Sequence, residues 1–251
     1  MDIVKLSSSS DSPDASRPYL ITAIKPAIKT ENRVNIFVND KFDFSLDIAQ
    51  VVDLHIKVGR RLTPRELNDC HHASEFGKLY ASTLEYALSR PHSIKEVRDH
   101  LVQKRRRREM MNRQALNNRK KPKEERIKFK LKTKEIPLYT DADIDAVITR
   151  LIEKNYVSDE NFAKFYVENR YYKKGISKKR LVQELRQKGI DSATIEKSLG
   201  NSERSDADEI QKIINKKRSR YTPDKLISYL VRQGFDYQQS KDAVLEMDSQ
   251  N

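Results

Sequence analysis

The feature that most constrains this chain is an internal repeat. Residues 177–191 (SKKRLVQELRQKGID) align without gaps with residues 222–236 (TPDKLISYLVRQGFD), 45 positions further on. Each copy opens on a hydroxyl residue suited to a helix N-cap and carries apolar residues four, five and eight positions later. Each then ends on a glycine at the C′ position, with an apolar residue after it. Asp191 and Asp236 come next, and each can cap another short helix. A third copy lies upstream at 93–104 (SIKEVRDHLVQK), offset by 84 rather than 45. There Arg105 stands where the other copies have glycine, so this helix can run on beyond Lys104.

Amphipathic runs precede the copies: Phe76, Leu79, Leu84, Ala87 and Leu88; Phe162, Phe165, Tyr166 and Val167; and Ile210, Ile213 and Ile214. Another, Ile144, Val147, Ile148, Leu151 and Ile152, stands ahead of the second copy. Three to four apolar residues per two turns give one buried stripe per helix. The pattern predicts three-helix modules of about 45 residues strung into an elongated array.

The N-terminal part has a different period. Val34, Ile36 and Val38 alternate with Asn35 and Phe37, and after Asn39-Asp40 the residues Phe42, Phe44 and Leu46 alternate with Asp43 and Ser45. Two period-two runs around a pair that tolerates positive φ predict a β-hairpin, followed by a short helix closing near Gly59. Thr63-Pro64-Arg65-Glu66 then supplies an N-cap, an N1 proline and an N3 glutamate, a strong helix start. The serine-rich stretch 7–16 has no apolar residue large enough to anchor a core.

The expected fold is therefore mainly α, with a small N-terminal β-hairpin module. The expected organisation is a disordered tail at 1–17, the hairpin and short helix at 18–60, and repeat one at 62–104. A basic insertion at 105–138, repeat two at 139–200 and repeat three at 203–248 complete it.

Charge is distributed as unevenly as the repeats are regular. Residues 103–134 hold fifteen Lys/Arg against three Glu, which is +12 of the chain's +13. The extra spacing of the first copy, 39 residues, is close to the length of this segment, so the segment reads as an insertion between the first and second repeats. Charge this localised suits phosphates of DNA or RNA, or an acidic protein surface; the plainer reading is a solvated connector. With no aromatic interleaved in its densest part, 104–108, it specifies no base.

With 37% hydrophobic and 35% charged residues, the composition fits small helical units with thin cores better than a single bulky core. One cysteine excludes an intramolecular disulfide, and no apolar run nears the roughly 20 residues of a membrane span. A cytoplasmic monomer is expected. Six glycines form neither a P-loop nor a dinucleotide fingerprint, so no nucleotide or other cofactor is expected. Cys70-His71-His72 would point its side chains about 100° apart on a helix, which makes a buried thiol beside surface imidazoles the better reading than a metal site. No acid, base and nucleophile set can be assembled, so no enzyme activity is expected. Tyr166 and Tyr229 fall in apolar stripes and read as core, whereas Tyr171-Tyr172-Lys173-Lys174-Gly175 joins aromatic and basic groups at a helix end and leaves partner contact and simple connector both open.

Several stretches resemble the RecX family of recombinase regulators. They are Ser93-Ile94-Lys95-Glu96-Val97-Arg98 with Leu101, Tyr156-Val157-Ser158-Asp159-Glu160-Asn161-Phe162-Ala163, and Lys174-Gly175-Ile176 through Glu184-Leu185-Arg186-Gln187-Lys188-Gly189-Ile190. Ile21-Thr22-Ala23-Ile24-Lys25-Pro26 and Arg33-Val34-Asn35-Ile36 resemble that family's extended N-terminal part. The resemblance runs from Ile21 to Met247 apart from the basic segment. It implies a non-enzymatic protein of three-helix repeats that binds the RecA–DNA filament in its helical groove, limits ATP hydrolysis and strand exchange, and favours disassembly. The segment from Lys104 onward departs from the family and can add DNA contact, single- or double-stranded. On this reading the candidate contacts are Arg98, Lys104, Arg105 and Arg106 with the first repeat, and Lys173, Lys174, Lys178, Lys179, Arg180 and Arg186 with the second. The alternative is direct DNA or RNA binding through 104–134, with the repeats as scaffold.

Overall fold

In the computed structural model, which describes residues 19–28, 30, 32–133 and 135–249, the alternating runs around Asn39-Asp40 pair as antiparallel strands. The expected tail at 1–17 lies outside the described residues. Strand β1 spans Tyr19–Pro26, β2 Arg33–Val38 and β3 Lys41–Asp47; helix α1 (Ile48–Asp53) comes next, and β4 is the two-residue Arg61–Leu62. The sheet order is β3-β2-β1-β4, every pairing antiparallel, so the hairpin belongs to a four-stranded sheet. Asn39 and Asp40 both take positive φ, 49° and 65°, the turn that matches strand twist. Replacing Asp40 with glycine removes the left-handed penalty of a side chain here. We expect Asp40→Gly to raise stability by about 0.5 kcal/mol in a denaturant titration.

Helix α1 forms after the hairpin because Asp47 and Gln50 make a reciprocal capping box. Helix α2 (Pro64–Leu88) starts on a second one: the Thr63 backbone N–H donates to Glu66 Oε2 at 2.8 Å and the Glu66 N–H to Thr63 Oγ1 at 3.2 Å. Ile21, Ile36, Phe44, Leu46, Leu62 and Cys70 form the core of this N-terminal part.

Contacts divide the chain into two units, Met1–Leu79 and Tyr80–Asn251, and α2 straddles the division. The second unit is helical. It contains α3 (Ile94–Arg119), α4 (Lys123–Lys128), α5 (Asp141–Glu153), α6 (Asp159–Asn169), α7 (Lys178–Gln187), α8 (Ser192–Gly200), α9 (Asp206–Lys217), α10 (Pro223–Arg232) and α11 (Tyr237–Ser249). Helices α6–α8 enclose Phe162, Val167, Leu185 and Ile195, and α9–α11 enclose Ile210, Ile214, Leu230 and Val244.

The basic segment sits elsewhere than the 84-residue offset suggests. Helix α5 packs on α3, and its Arg150 guanidinium lies 4.7 Å over the Tyr80 ring near the end of α2. The last part of α2, α3 and α5 thus make the first triad, and the insertion separates the second and third helices of that triad rather than two repeats. Spacing between copies of the second helix cannot distinguish these places, because either insertion point lengthens it equally.

Successive triads are joined by the same chemistry twice. At the first joint Ser93 Oγ donates to the Lys188 carbonyl at 2.9 Å, and the Ile94 N–H donates to Asp159 Oδ1 at 2.8 Å. At the second, Ser177 Oγ donates to the Gln233 carbonyl at 2.7 Å and the Lys178 N–H to Asp206 Oδ1 at 2.8 Å. The N-cap serine thereby accepts from its own helix and donates to the C-terminus of the next triad's middle helix. Thr222-Pro223 offers no equivalent backbone donor, because proline has no N–H. Among the described residues no helix is long and apolar enough to cross a membrane.

Candidate polyanion interface

Helix α3 continues to Arg119 because nothing stops it: arginine replaces the C′ glycine, and no proline intervenes before Pro122. Much of its charge is then used inside the unit. Arg98 pairs with Asp145 at 2.7 Å and Arg105 with Asp141 at 2.6 Å, both on α5. Arg108 lies 3.8 Å over the Tyr139 ring and donates to the Pro137 carbonyl. Arg119 bonds the Thr133 carbonyl and pairs with Glu135, while Asn112 holds both the N–H and the carbonyl of Ile136. The returning stretch of chain is thus laced onto α3. Lys104 is partly buried and donates to Ser82 Oγ at 3.0 Å; burial first, and then Arg107, pull its pKa below the ordinary lysine range. Of the four cations singled out from sequence on this helix, Arg106 alone is exposed without an acidic partner among the described residues. Arg107 and Arg113, which are not among the candidate contacts, share that state.

The second cluster begins where α6 ends. Tyr171 takes φ 49° and Gly175 φ 83°, which turns the chain into α7 with Ser177 as its cap. Lys173, Lys174, Lys178, Lys179 and Arg186 are exposed, and none has an acidic partner among the described residues. Lys178 and Lys179 occupy the first turn of α7, where the helix dipole disfavours cations. Arg180 differs: its Nε pairs with Glu184 at 3.2 Å and its guanidinium donates to the Gln233 side chain. Glu184 also takes the Tyr166 hydroxyl and Arg170 Nε, each at 2.7 Å. Burial opposes ionisation of Glu184, but hydrogen bonds from Arg170, Tyr166 and Arg180 outweigh it and hold the carboxyl below its ordinary range.

Folding brings two further cations to this cluster. Lys216 and Lys217, at the end of α9, line a cleft of about 360 Å³ together with Lys174 and Arg180. Sequence alone presents them as routine C-terminal helix cations. The available signal was Tyr221 and Tyr229 shortly after them, rings that Lys217 covers at 5.2 and 4.4 Å.

The residues weighed for metal or catalytic chemistry lie in the N-terminal unit. Cys70 is buried in the sheet core, where burial pushes its thiol pKa up, and His71 Nε2 lies 2.9 Å from Asp43 Oδ2. Among the described residues no three His, Cys, Asp or Glu side chains converge to hold a metal ion.

Comparison with known proteins respects the same division. The family described as Regulatory protein RecX N-terminal domain matches residues 19–63, and that described as RecX, second three-helix domain, matches residues 158–199. The second match coincides with α6–α8 and leaves α5 outside. The regulatory protein RecX of Bacillus licheniformis is 27% identical over 242 residues, covering 93% of this chain and 79% of that protein. That of Bacillus subtilis is 29% identical over 181 residues, covering 72% of this chain and 56% of that protein. A crystal structure of a regulatory protein RecX superposes with a TM-score of 0.57 at 18% identity, covering 93% of this chain and all of that one, a likeness of fold.

Proposed function

Because the chain belongs to the RecX family, we propose that it modulates the RecA recombinase as a negative regulator, binding the RecA–DNA filament and limiting ATP hydrolysis and strand exchange. The observation that carries this reading is the distribution of unneutralised cations. Arg106, Arg107 and Arg113 on α3, and Lys173, Lys174, Lys178, Lys179 and Arg186 around α7, are exposed without acidic partners among the described residues. A surface of this kind complements an acidic groove and phosphate together, and acts mainly on association rate and salt dependence.

The internal pairing within α3 supports the filament over naked nucleic acid as the main target. Arg98, Arg105 and Arg119 are paired with Asp145, Asp141 and Glu135 of this chain, so α3 presents less free charge than its composition suggests. Binding to a preformed RecA filament on single-stranded DNA, compared with the same DNA alone, separates the readings. The filament is expected to be held more tightly, and Arg106→Glu/Arg107→Glu/Arg113→Glu is expected to weaken that binding by about 10-fold. Equal binding to naked DNA, with a steep loss between about 50 and 200 mM salt, makes the basic segment a direct nucleic-acid binder instead.

A further inference from the structure

We propose that the cleft between the second and third triads is a phosphate-binding site. Its cations come from three places: Lys174 from the turn after α6, Arg180 from α7, and Lys216 with Lys217 from the end of α9. Among the described residues no acidic side chain lines it. Like charges gathered in a concave site repel one another, and at a partly desolvated position the repulsion is not fully screened. An anion relieves it.

How the cations are held points the same way. Carboxylates would fix them and cancel their charge; here aromatic rings hold two of the four, Lys174 and Lys217, and leave their charge intact. Lys217 Nζ lies 4.4 Å from the Tyr229 ring centre, and Lys174 Nζ lies 5.7 Å from that of Tyr171. Arg180 is shared with Glu184, but that carboxylate also serves Arg170 at 2.7 Å. The Gln233 side-chain oxygen is occupied by Arg180, which leaves its NH₂ group as a further donor.

The same arrangement sets the ligand class. Tyr171 already carries the Arg170 guanidinium at 3.9 Å and Tyr229 carries Lys217, so these rings are engaged by cations rather than left for a nucleobase. Donors of this number and charge match a tetrahedral, multiply charged oxyanion better than a planar monoanionic carboxylate. The site therefore reads phosphate without reading bases, and the phosphate comes either from a nucleic-acid backbone or from a free phosphorylated molecule. This goes beyond the filament reading and does not depend on it.

The test needs no recombinase. The isotope-labelled full chain is titrated with inorganic pyrophosphate and, separately, with a thymidine hexanucleotide, while the amide signal of Gly175, which lines the cleft, is followed by NMR. A saturable shift is expected, weakened about 10-fold in Lys216→Gln/Lys217→Gln and in Lys174→Gln, and unchanged in Lys57→Gln, an exposed cation of the N-terminal unit. Saturation by the hexanucleotide at lower concentration than pyrophosphate assigns the site to a nucleic-acid backbone; the opposite order assigns it to a free phosphorylated ligand. No shift at Gly175 with either probe overturns the proposal. So does an affinity indifferent to both cleft variants, or a hexaglutamate peptide binding as tightly as the phosphates.

Discussion

Glu209→Ala is expected to cost about 3–5 kcal/mol of stability in the helical unit, measured by denaturant unfolding with amide exchange reporting on α6 and α9. The Glu209 side chain is 2% exposed and that of Arg204, its partner at 3.0 Å, is 8% exposed. The carboxylate also accepts the buried Ile176 N–H at 2.9 Å and the Lys212 ammonium at 2.8 Å. Arg204 turns its other nitrogen to the Val167 and Arg170 carbonyls at the end of α6. One ion pair thus ties the C-terminus of α6, the start of the α7 cap and the body of α9. Removing the carboxylate leaves a buried guanidinium without a counter-ion and a buried N–H without an acceptor, which is where the cost arises. Glu209→Gln keeps an acceptor and is expected to cost less. Removing Arg204 as well is expected to cost less than the sum of the single changes, since the second loss cancels the charge stranded by the first. A loss below about 1 kcal/mol for Glu209→Ala would contradict this account of the joint.

The second large effect concerns Gly175. At φ 83° any L side chain is strained, and a Cβ here would lie 2.6 Å from the Glu209 carbonyl oxygen and 2.7 Å from Ile213 Cγ1. A left-handed residue costs about 1–2 kcal/mol and an overlap with backbone, which cannot swing aside, adds about 1–2 more. Gly175→Ala should therefore lose about 2–4 kcal/mol. Gly59 supplies the control, with φ 85° and nothing within 4 Å of its would-be Cβ. Gly59→Ala is expected to show only the conformational part, about 1–2 kcal/mol. Equal losses at the two sites would mean that the close approach of the turn to α9 contributes nothing.

These joints explain what the sequence could and could not reveal. Helix ends obey local rules, so Ser177, Thr222, Gly189 and Gly234 announce their helices by spacing alone. The hairpin is legible for the same reason, since Asn39-Asp40 sits between two alternating runs. Strand β1 is not, because its register shifts between Ile21 and Ala23 and the bulge breaks the period of two. Strand β4 is two residues long and exists only through its pairing with Tyr19 and Leu20. The site is less legible still. Arg98 and Arg105 look free until α5 brings Asp145 and Asp141 to them from about 40 residues away. Lys216 and Lys217 look routine until the third triad docks on the second. Both are facts of tertiary pairing, and no local pattern encodes them.

What the interface retains is consistent across the helical unit: cations on helices or in the turn before α7 that are exposed and have no acidic partner among the described residues. The DNA-dependent ATPase of the RecA recombinase, measured with substoichiometric amounts of this protein, tests the central claim most directly. The account predicts suppression by the native chain and markedly weaker suppression by a variant carrying Arg106→Glu, Arg107→Glu, Lys178→Glu and Lys179→Glu. An ATPase rate unchanged by the native chain, or suppressed equally by that variant, would contradict it.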